Sequence, residues 1–423
     1  MPNLELRLIA TVAVALVAAA IISLIATPVV RNLAHKVGAM DVPKDSRRMH
    51  KVPIPRMGGL AIFFGFLLSV LIFVPLTTSI RFMLLGSVII VILGIFDDIY
   101  ALPAKPKFLV QIVAALVAVA GGNVIDTLSN PNIFSANPYW HLGILSIPFT
   151  VLWIVAITNS VNLIDGLDGL ACGVSTISSL SMLVIALAAA EPSVALLMAA
   201  LAGGCIGFLP YNLNPAKIFM GDTGSTFLGY ILAVVSIQGL FKFYTIISFV
   251  VPFLMLGLPI FDTCFAFFRR IAHGQSPMSP DRSHIHHRLI DMGFSQKQAV
   301  GVLYLVSAIL GLTAVVLATS TALKAMILLA ALCLAVVVAG KIFLHYNAAK
   351  QGTAQSDAPE TGLLWCRSFP AGKGWKASAA SPRSTGKCWT PSFPFSVSRR
   401  TMTSTLWSRG RPCPPSPPSA FWG

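Results

Sequence analysis

Long apolar runs recur along most of this chain and constrain its fold more than any other feature. Eleven of them approach the length of about 20 residues that a helix needs to cross a ~30 Å hydrocarbon core. Only 11% of the 423 residues are charged, against about 25% in ordinary soluble domains. The sequence therefore predicts an all-α, polytopic integral membrane protein with about 10–11 transmembrane helices. The runs lie near residues 4–27, 58–76, 82–96, 108–121, 144–158, 173–190, 194–210, 226–241, 245–268, 298–318 and 324–344.

Basic residues indicate how this bundle is oriented. The first apolar run is too long for a cleaved signal peptide, and its basic residues Arg31 and Lys36 follow it, so we expect the N-terminus outside. Of the 21 Lys and Arg before residue 351, 17 then fall on the inner side, as the positive-inside rule requires. The loops that this orientation places in the cytoplasm are 28–57, 97–107, 159–172, 211–225 and 269–297.

The net charge of +15 has a membrane explanation, because basic cytoplasmic loops face anionic lipid headgroups. We therefore expect membrane lipids as partners and no nucleic acid. The seven cysteines lack metal-ligand spacing and predict neither a disulfide framework nor a zinc site.

The chain changes character at about residue 350. Residues 351–423 have no apolar periodicity and carry nine Lys or Arg against two acids, a composition that cannot build a core. We interpret residues 1–350 as a membrane-embedded domain and residues 351–423 as a basic, disordered C-terminal tail. A basic arm that binds lipid headgroups or a partner is the alternative for this tail.

Four polar clusters interrupt the apolar pattern, all in predicted cytoplasmic segments. The first is the pair Asp97 and Asp98, which ends an apolar run and precedes Lys107. Adjacent carboxylates are tolerated best where a cation binds or where one of them holds a proton. Mg²⁺ with a phosphate substrate suits this pair, which makes Asp98 a candidate metal ligand and Lys107 a candidate substrate-binding residue. A solvated helix end is the simpler alternative.

The second cluster lies in residues 158–171, where Asn159, Asn162, Asp165 and Asp168 recur at every third position. On a helix this spacing would line one polar wall. A capped loop between two helices is the alternative, because Asn, Asp and Gly are common there.

The third cluster, residues 219–226, precedes an apolar helix and contains Asp222 between two glycines. Helix N-terminal amides would make an anion-binding pocket, in which Asp222 would repel a phosphate unless a metal lay between them. We therefore predict that Asp222 is a metal ligand, with a plain N-cap turn as the alternative.

The fourth cluster, residues 281–289, contains His284, His286, His287 and Arg288 in a basic loop. These side chains can hydrogen-bond and neutralise a diphosphate. A zinc site and a solvated basic loop are the alternatives.

Taken in order, these clusters resemble the polyprenyl-phosphate N-acetylhexosamine-1-phosphate transferases, in glycosyltransferase family 4. The similar stretch runs from about Asp41 to Leu289, and residues 41–62 match the family's first cytoplasmic loop, including His50, Gly58 and Gly59. The family contains enzymes that begin teichoic acid, enterobacterial common antigen and O-antigen synthesis, and the muramoyl-pentapeptide translocase of peptidoglycan synthesis.

The resemblance implies a role for each matched residue. Asp97 and Asp98 would sit at the acceptor phosphate, one of them accepting its proton, and Asp222 would coordinate magnesium. The remaining matches would shape the nucleotide pocket or lie near the sugar diphosphate: Asn162, Asp165, Asp168, His284, His286, His287 and Arg288, with His287 counted as catalytic.

The same resemblance implies a substrate and a location. The form His-Ile-His-His-Arg-Leu is similar to the enzymes that use UDP-N-acetylglucosamine, with the pentapeptide substrate as the runner-up and a transporter as the rival from another class. The acceptor would be undecaprenyl phosphate and the cofactor Mg²⁺, with Mn²⁺ as a substitute. We expect the bacterial inner membrane, with the active site facing the cytoplasm. A homodimer and a phospho-enzyme intermediate are left open.

This orientation is testable with single cysteines in a background without the native ones. We expect cysteines at Ser46, Pro103 and Ser279 to be protected from an impermeant thiol reagent in intact cells, because all three lie in predicted cytoplasmic loops. A cysteine at Asn130 should be labelled. Labelling of Pro103 or Ser279 from outside would contradict the predicted topology.

Overall fold

The computed structural model describes residues 2–42, 52–129, 139–239, 247–274 and 284–319, with isolated residues between 324 and 341. These ranges are mostly helical, and two short antiparallel strand pairs connect some of the helices. The helices are α1 (Pro2–Val37), α2 (Gly59–Phe73), α3 (Thr78–Tyr100), α4 (Ala104–Ala120), α5 (Ser146–Leu163), α6 (Leu170–Ala188), α7 (Pro192–Asn212), α8 (Gly221–Gly239), α9 (Ile247–Met255), α10 (Gly257–Ala272), α11 (Ile285–Asp291) and α12 (Gln296–Thr319). The strand pairs are β1 (Met40–Asp41) with β2 (Ile54–Pro55) and β3 (Thr127–Ser129) with β4 (Tyr139–His141).

Six segments in the described part of the chain are long and apolar enough to cross a membrane, and α2 is a shorter apolar helix. This confirms the predicted all-α, polytopic membrane fold. The run at 324–344 and the proposed tail, residues 351–423, fall largely or wholly outside the described residues. The six segments are Leu6–Val37, Thr78–Tyr100, Gly143–Leu163, Leu170–Ala188, Pro192–Asn212 and Gln296–Thr319.

The apolar run at 245–268, predicted as one span, is instead divided into α9 and α10. Pro259 has no N–H group and cannot donate to the carbonyl of Met255 four residues earlier. The hydroxyl of Ser178 on α6 donates to that carbonyl at 2.7 Å. The freed backbone group is thus satisfied inside the protein, as a broken helix at membrane depth requires.

Helix α8 lies at the centre of the described bundle and is buried along most of its length. Its N-terminus meets the start of α2 and the C-terminal part of α3 almost backbone to backbone. A methyl group on Gly59 would lie 2.0 Å from the Cα of Gly224, and one on Gly94 would lie 2.3 Å from the Cα of Thr223. Small residues allow such close helix crossings. They bring residues 97–98 and 222 to the same end of the bundle.

This crossing predicts that Gly59→Ala destabilises the protein, because the added methyl group has no space and the obstructing atoms are backbone. Overpacking of this kind costs about 1–3 kcal/mol. The matched control is Gly301→Ala, since that glycine is exposed on α12 and an added methyl group there would meet no neighbouring side chain or helix within 4 Å. We expect thermal unfolding in detergent to show a lower midpoint for Gly59→Ala only. Equal midpoints for the two variants would contradict this packing.

Candidate active site

Three carboxylates meet where the end of α3 faces the start of α8. Asp97 and Asp98 lie in the last turn of α3, and Asp222 lies in the first turn of α8. Asp97 and Asp98 are buried, and Asp222 is partly exposed. The structure therefore brings the first and third polar clusters together.

Asp98 binds the N-terminus of α8. One of its oxygens accepts a hydrogen bond from the backbone N–H of Asp222 at 3.0 Å. The other accepts from the N–H and the hydroxyl of Thr223, at 3.1 and 2.7 Å. Only 5% of Asp98 is exposed, and the Nε of Arg56 lies 3.7 Å from its first oxygen. This carboxylate thus acts as a side-chain cap that satisfies the first amides of a buried helix.

Lys107 joins the other two carboxylates. Its Nζ lies 2.7 Å from Asp97 and 3.1 Å from Asp222. Asp97 also accepts a hydrogen bond from the backbone N–H of Leu102 at 2.7 Å, across the turn from α3 to α4. The ammonium group offsets the repulsion between two facing carboxylates and fixes their separation. Lys107, a predicted substrate-binding residue, is thus held by the protein's own acids.

A cavity of about 370 Å³ opens beside this carboxylate group. It is lined by Asp222 and by parts of the second polar cluster, and its polar lining is dominated by oxygen-bearing side chains and Arg56. Its lining residues are Asp41, Ile54, Arg56, Asn162, Asp165, Gly166, Leu167, Asp168, Asn212, Asn214, Pro215, Ala216, Phe219, Gly221, Asp222, His287 and Gln296.

The second polar cluster is not one helical wall, because α5 ends at Leu163 and a turn precedes α6. Asn159 is still on α5 and donates to Gln111 at 2.6 Å, so it does not line the cavity. Asn162 lines the cavity and donates to Ser225 on α8 at 2.8 Å. The predicted helical spacing was therefore wrong beyond Leu163, and the loop alternative was correct there. The glycines at 166 and 169 favour this turn.

Asp165 and Asp168 occupy the turn and face different parts of the protein. Burial, with the negative charge of Asp222 next in importance, raises the pKa of Asp165 to about 7. A carboxyl group with that pKa can hold or release a proton near neutral pH. Asp168 accepts from Asn214 at 2.9 Å and from the N–H of Ala216 at 3.1 Å, so it holds the loop between α7 and α8.

The histidines of the fourth cluster lie on or at the start of α11, and only His287 among them lines the cavity. His286 is buried against Gly166. A methyl group added to Gly166 would lie 2.2 Å from the Nε2 atom of His286. Burial is the main cause that lowers the pKa of His286 to about 4, so this ring is neutral at physiological pH. His284 is buried and pairs with Asp262. Arg288 is exposed and lies over the ring of Phe265, away from the cavity lining.

Sequence reasoning did not single out three polar residues of this region. Arg56 and Asp41 lie in the stretch already matched to the first loop, and both line the cavity. Asp262 is an acid in an otherwise apolar run, a pattern that marks functional positions in membrane proteins. His50, which was singled out, lies outside the described residues.

The fold and the cavity together define a polytopic membrane protein with a carboxylate-rich site at one end of its helical bundle. Residues 80–240 match the family model described as glycosyl transferase family 4. The chain is 45% identical over 311 residues to the "Probable undecaprenyl-phosphate N-acetylglucosaminyl 1-phosphate transferase" of Bacillus subtilis, covering 73% of this chain and 86% of that protein. The chain belongs to glycosyl transferase family 4.

Two further relatives are more distant. The chain is 36% identical over 315 residues to the decaprenyl-phosphate N-acetylglucosaminephosphotransferase of Mycolicibacterium smegmatis, covering 68% of this chain and 77% of that protein. It is 30% identical over 320 residues to the undecaprenyl-phosphate alpha-N-acetylglucosaminyl 1-phosphate transferase of Yersinia pestis, covering 74% of this chain and 86% of that protein.

The bridging position of Lys107 predicts that Lys107→Met destabilises the protein, because Asp97 and Asp222 would then face each other without the cation between them. We expect a loss of about 1–3 kcal/mol. The matched control is Lys105→Met, since Lys105 is exposed at the start of the same helix. Thermal unfolding in detergent measures both. An unchanged midpoint for Lys107→Met would show that the ammonium group does not hold the two carboxylates in place.

Proposed function

We propose that this protein transfers N-acetylglucosamine 1-phosphate from UDP-N-acetylglucosamine to undecaprenyl phosphate, as the initiating step of a cell-envelope polysaccharide. The observation that carries the proposal is the cavity that contains Asp222, Asp165 and Arg56, in a chain 45% identical to a relative named for this transfer. The relatives quoted above are all named for N-acetylglucosamine transfer, which favours that sugar over the pentapeptide substrate.

The reaction is a phosphoryl transfer, in which positioning and charge stabilisation do most of the catalytic work. An oxygen of the acceptor phosphate attacks the phosphorus that carries the sugar. The bond from that phosphorus to the bridging oxygen breaks, and its electron pair leaves with UMP. The products are UMP and a lipid-linked diphosphate sugar, so every atom of both substrates is accounted for.

The cavity's own residues suit this chemistry. Arg56 can bind phosphate oxygens through two parallel hydrogen bonds, and it lines the cavity in which the donor would bind. His287 can donate to the same diphosphate. Asp97, one of the two residues that the family resemblance places at the acceptor phosphate, is paired with Lys107 beside the cavity.

We further propose that the transferase needs Mg²⁺, for which Mn²⁺ would substitute. Asp222 and Asp165, with the amide oxygen of Asn162, would hold the ion, since all three residues offer hard oxygen donors to the cavity. Among the described residues, no three Asp, Glu, His or Cys side chains form a complete metal cage. This fits Mg²⁺, which keeps waters and substrate phosphates as ligands. Bound there, the ion would offset diphosphate charge.

Asp98 suits a metal ligand less well than Asp222 does. Both of its oxygens already accept hydrogen bonds from the start of α8. We therefore assign Asp98 the task of holding Asp222 in position. A ligand role for Asp98 would have to use the one lone pair that these three hydrogen bonds leave on its first oxygen, on the side where Arg56 lies 3.7 Å away.

The proposed substrates also indicate on which side of the membrane the active site lies. Water-soluble nucleotide sugars are made in the cytoplasm, so the cavity has to face it while the acceptor arrives from the membrane. We therefore place the protein in the bacterial inner membrane with this end of the bundle on the cytoplasmic side. The basic segments 28–57 and 269–297 are consistent with that orientation.

The proposal is tested with purified protein, undecaprenyl phosphate, Mg²⁺ and a panel of UDP-sugars, with the lipid product identified by mass spectrometry. We expect a lipid-linked diphosphate N-acetylglucosamine and equimolar UMP. Chelation of divalent cations should abolish the product, and added Mg²⁺ or Mn²⁺ should restore it. A product with another sugar, or turnover that survives chelation, would contradict the corresponding part of the proposal.

Asp222→Asn tests the metal-binding residue, because the amide keeps the shape of the side chain but is a poorer ligand of Mg²⁺. We expect a loss of about 100-fold or more in product formation. Asp126→Asn is the matched control, since Asp126 is exposed and lies outside the cavity lining. If Asp222→Asn turned over nearly as fast as the wild type at ordinary Mg²⁺ concentrations, the assignment of Asp222 as a metal ligand would be wrong.

A further inference from the structure

Asp262 is a buried acid with no role in the chemistry described above. It lies on α10, whose other face exposes Phe261, Phe265 and Phe268. Only 2% of Asp262 is exposed. A carboxylate at such a place is costly unless the protein pairs it, so its partners indicate its purpose.

Both partners of Asp262 belong to the start of α11. One carboxylate oxygen accepts a hydrogen bond from the backbone N–H of Ile285 at 2.8 Å. The other lies 3.0 Å from Nδ1 of His284, which is itself 6% exposed. One bond thus holds the backbone and the other holds a ring. Two fixed points on consecutive residues determine where α11 begins and which way its first turn faces.

The pair also determines which nitrogen of His284 carries a proton. A carboxylate only accepts hydrogen bonds, so Nδ1 of His284 must be the donor. In the neutral ring the lone pair is then on Nε2. An acid that orients a histidine in this way fixes its tautomer as well as its position.

The histidines continue from this anchor to the cavity. The rings of His284 and His286 are stacked, with centroids 5.7 Å apart and 9° between their planes. The rings of His286 and His287 are 4.3 Å apart, and His287 lines the cavity. On the far side, His286 is packed against Gly166 of the turn that carries Asp165. The start of α11 is therefore held between Asp262 and that turn.

We propose that Asp262 is a positioning residue for the transfer: by fixing the start of α11 and the proton of His284, it places His287 in the lining of the cavity, where the donor diphosphate would bind. This inference rests on the proposed function, because it concerns the same reaction. Asp262 lines no part of the cavity and would not touch a substrate there. Its effect passes through His284 and the first turn of α11.

Asp262→Asn tests this role with little change of shape. Its amide oxygen can still accept from Ile285, but its NH₂ group would face Nδ1 of His284, so the histidine must move its proton to Nε2 or lose the bond. We expect kcat to fall by about 30-fold or more, because small displacements of reacting groups have effects of that size. The KM for undecaprenyl phosphate should stay within about threefold, since the variant displaces only His287, which is proposed to bind the diphosphate of the donor.

The matched control is Asp291→Asn, because Asp291 is an exposed acid at the end of the same helix. It should keep kcat within about twofold of the wild type. Equal kcat values for Asp262→Asn and Asp291→Asn would overturn the inference, as would a rise in KM with an unchanged kcat. A wild-type protein that forms no lipid product at all would instead refute the proposed function.

A second pair of variants covers the case in which Asp262→Asn does not fold. In His284→Asn the amide nitrogen takes the place of Nδ1 and can still donate to Asp262, whereas in His284→Gln it takes the place of Nε2. We expect His284→Asn to retain at least about ten times the kcat of His284→Gln. Equal values for the two would show that the contact with Asp262 does not matter for turnover.

Discussion

The bonds between Asp98 and the first residues of α8 are the interaction on which the rest of the site depends. A helix that begins inside a protein brings unpaired amides with it, and where they are buried the protein itself has to satisfy them. Asp98 accepts from two of these amides and from the hydroxyl of Thr223. The close contacts of Gly59 and Gly94 with the same turn leave α8 no room to shift. Asp222 is therefore presented at a fixed point.

That arrangement explains why one end of the bundle can hold so many acids. Lys107 lies between Asp97 and Asp222, and Arg56 approaches Asp98 from the side of the cavity. Each cation reduces a repulsion that would otherwise oppose folding. At Asp165, burial and the negative charge of Asp222 outweigh the attraction of Arg56, and they raise the pKa to about 7. The same region thus contains acids held by hydrogen bonds and cations and one acid whose pKa is raised mainly by burial.

Much of the site was predictable because ionisable residues are rare in apolar helices, so their positions in the sequence already mark functional segments. The four clusters do converge, and Asn162, Asp165, Asp168, Asp222 and His287 share one cavity. Other details were not predictable. Asn159 donates a hydrogen bond to Gln111, and the third-position spacing continues past the end of α5, where the chain is no longer helical. Asp262 was missed, because a single acid in an apolar run does not reveal that its partner is His284, 22 residues away.

The sequence by itself determined the all-α membrane fold. A helix crosses the bilayer when about 20 consecutive residues are apolar, and this is a local property of the chain. The sequence also determined which segments carry ionisable side chains next to the apolar helices. Only the tertiary structure decided what each carboxylate does. Asp97 and Asp98 are neighbours in the chain with the same composition around them, yet one pairs with Lys107 and the other caps α8. The difference arises because successive residues on a helix point about 100° apart, so packing against different neighbours gives adjacent acids different partners.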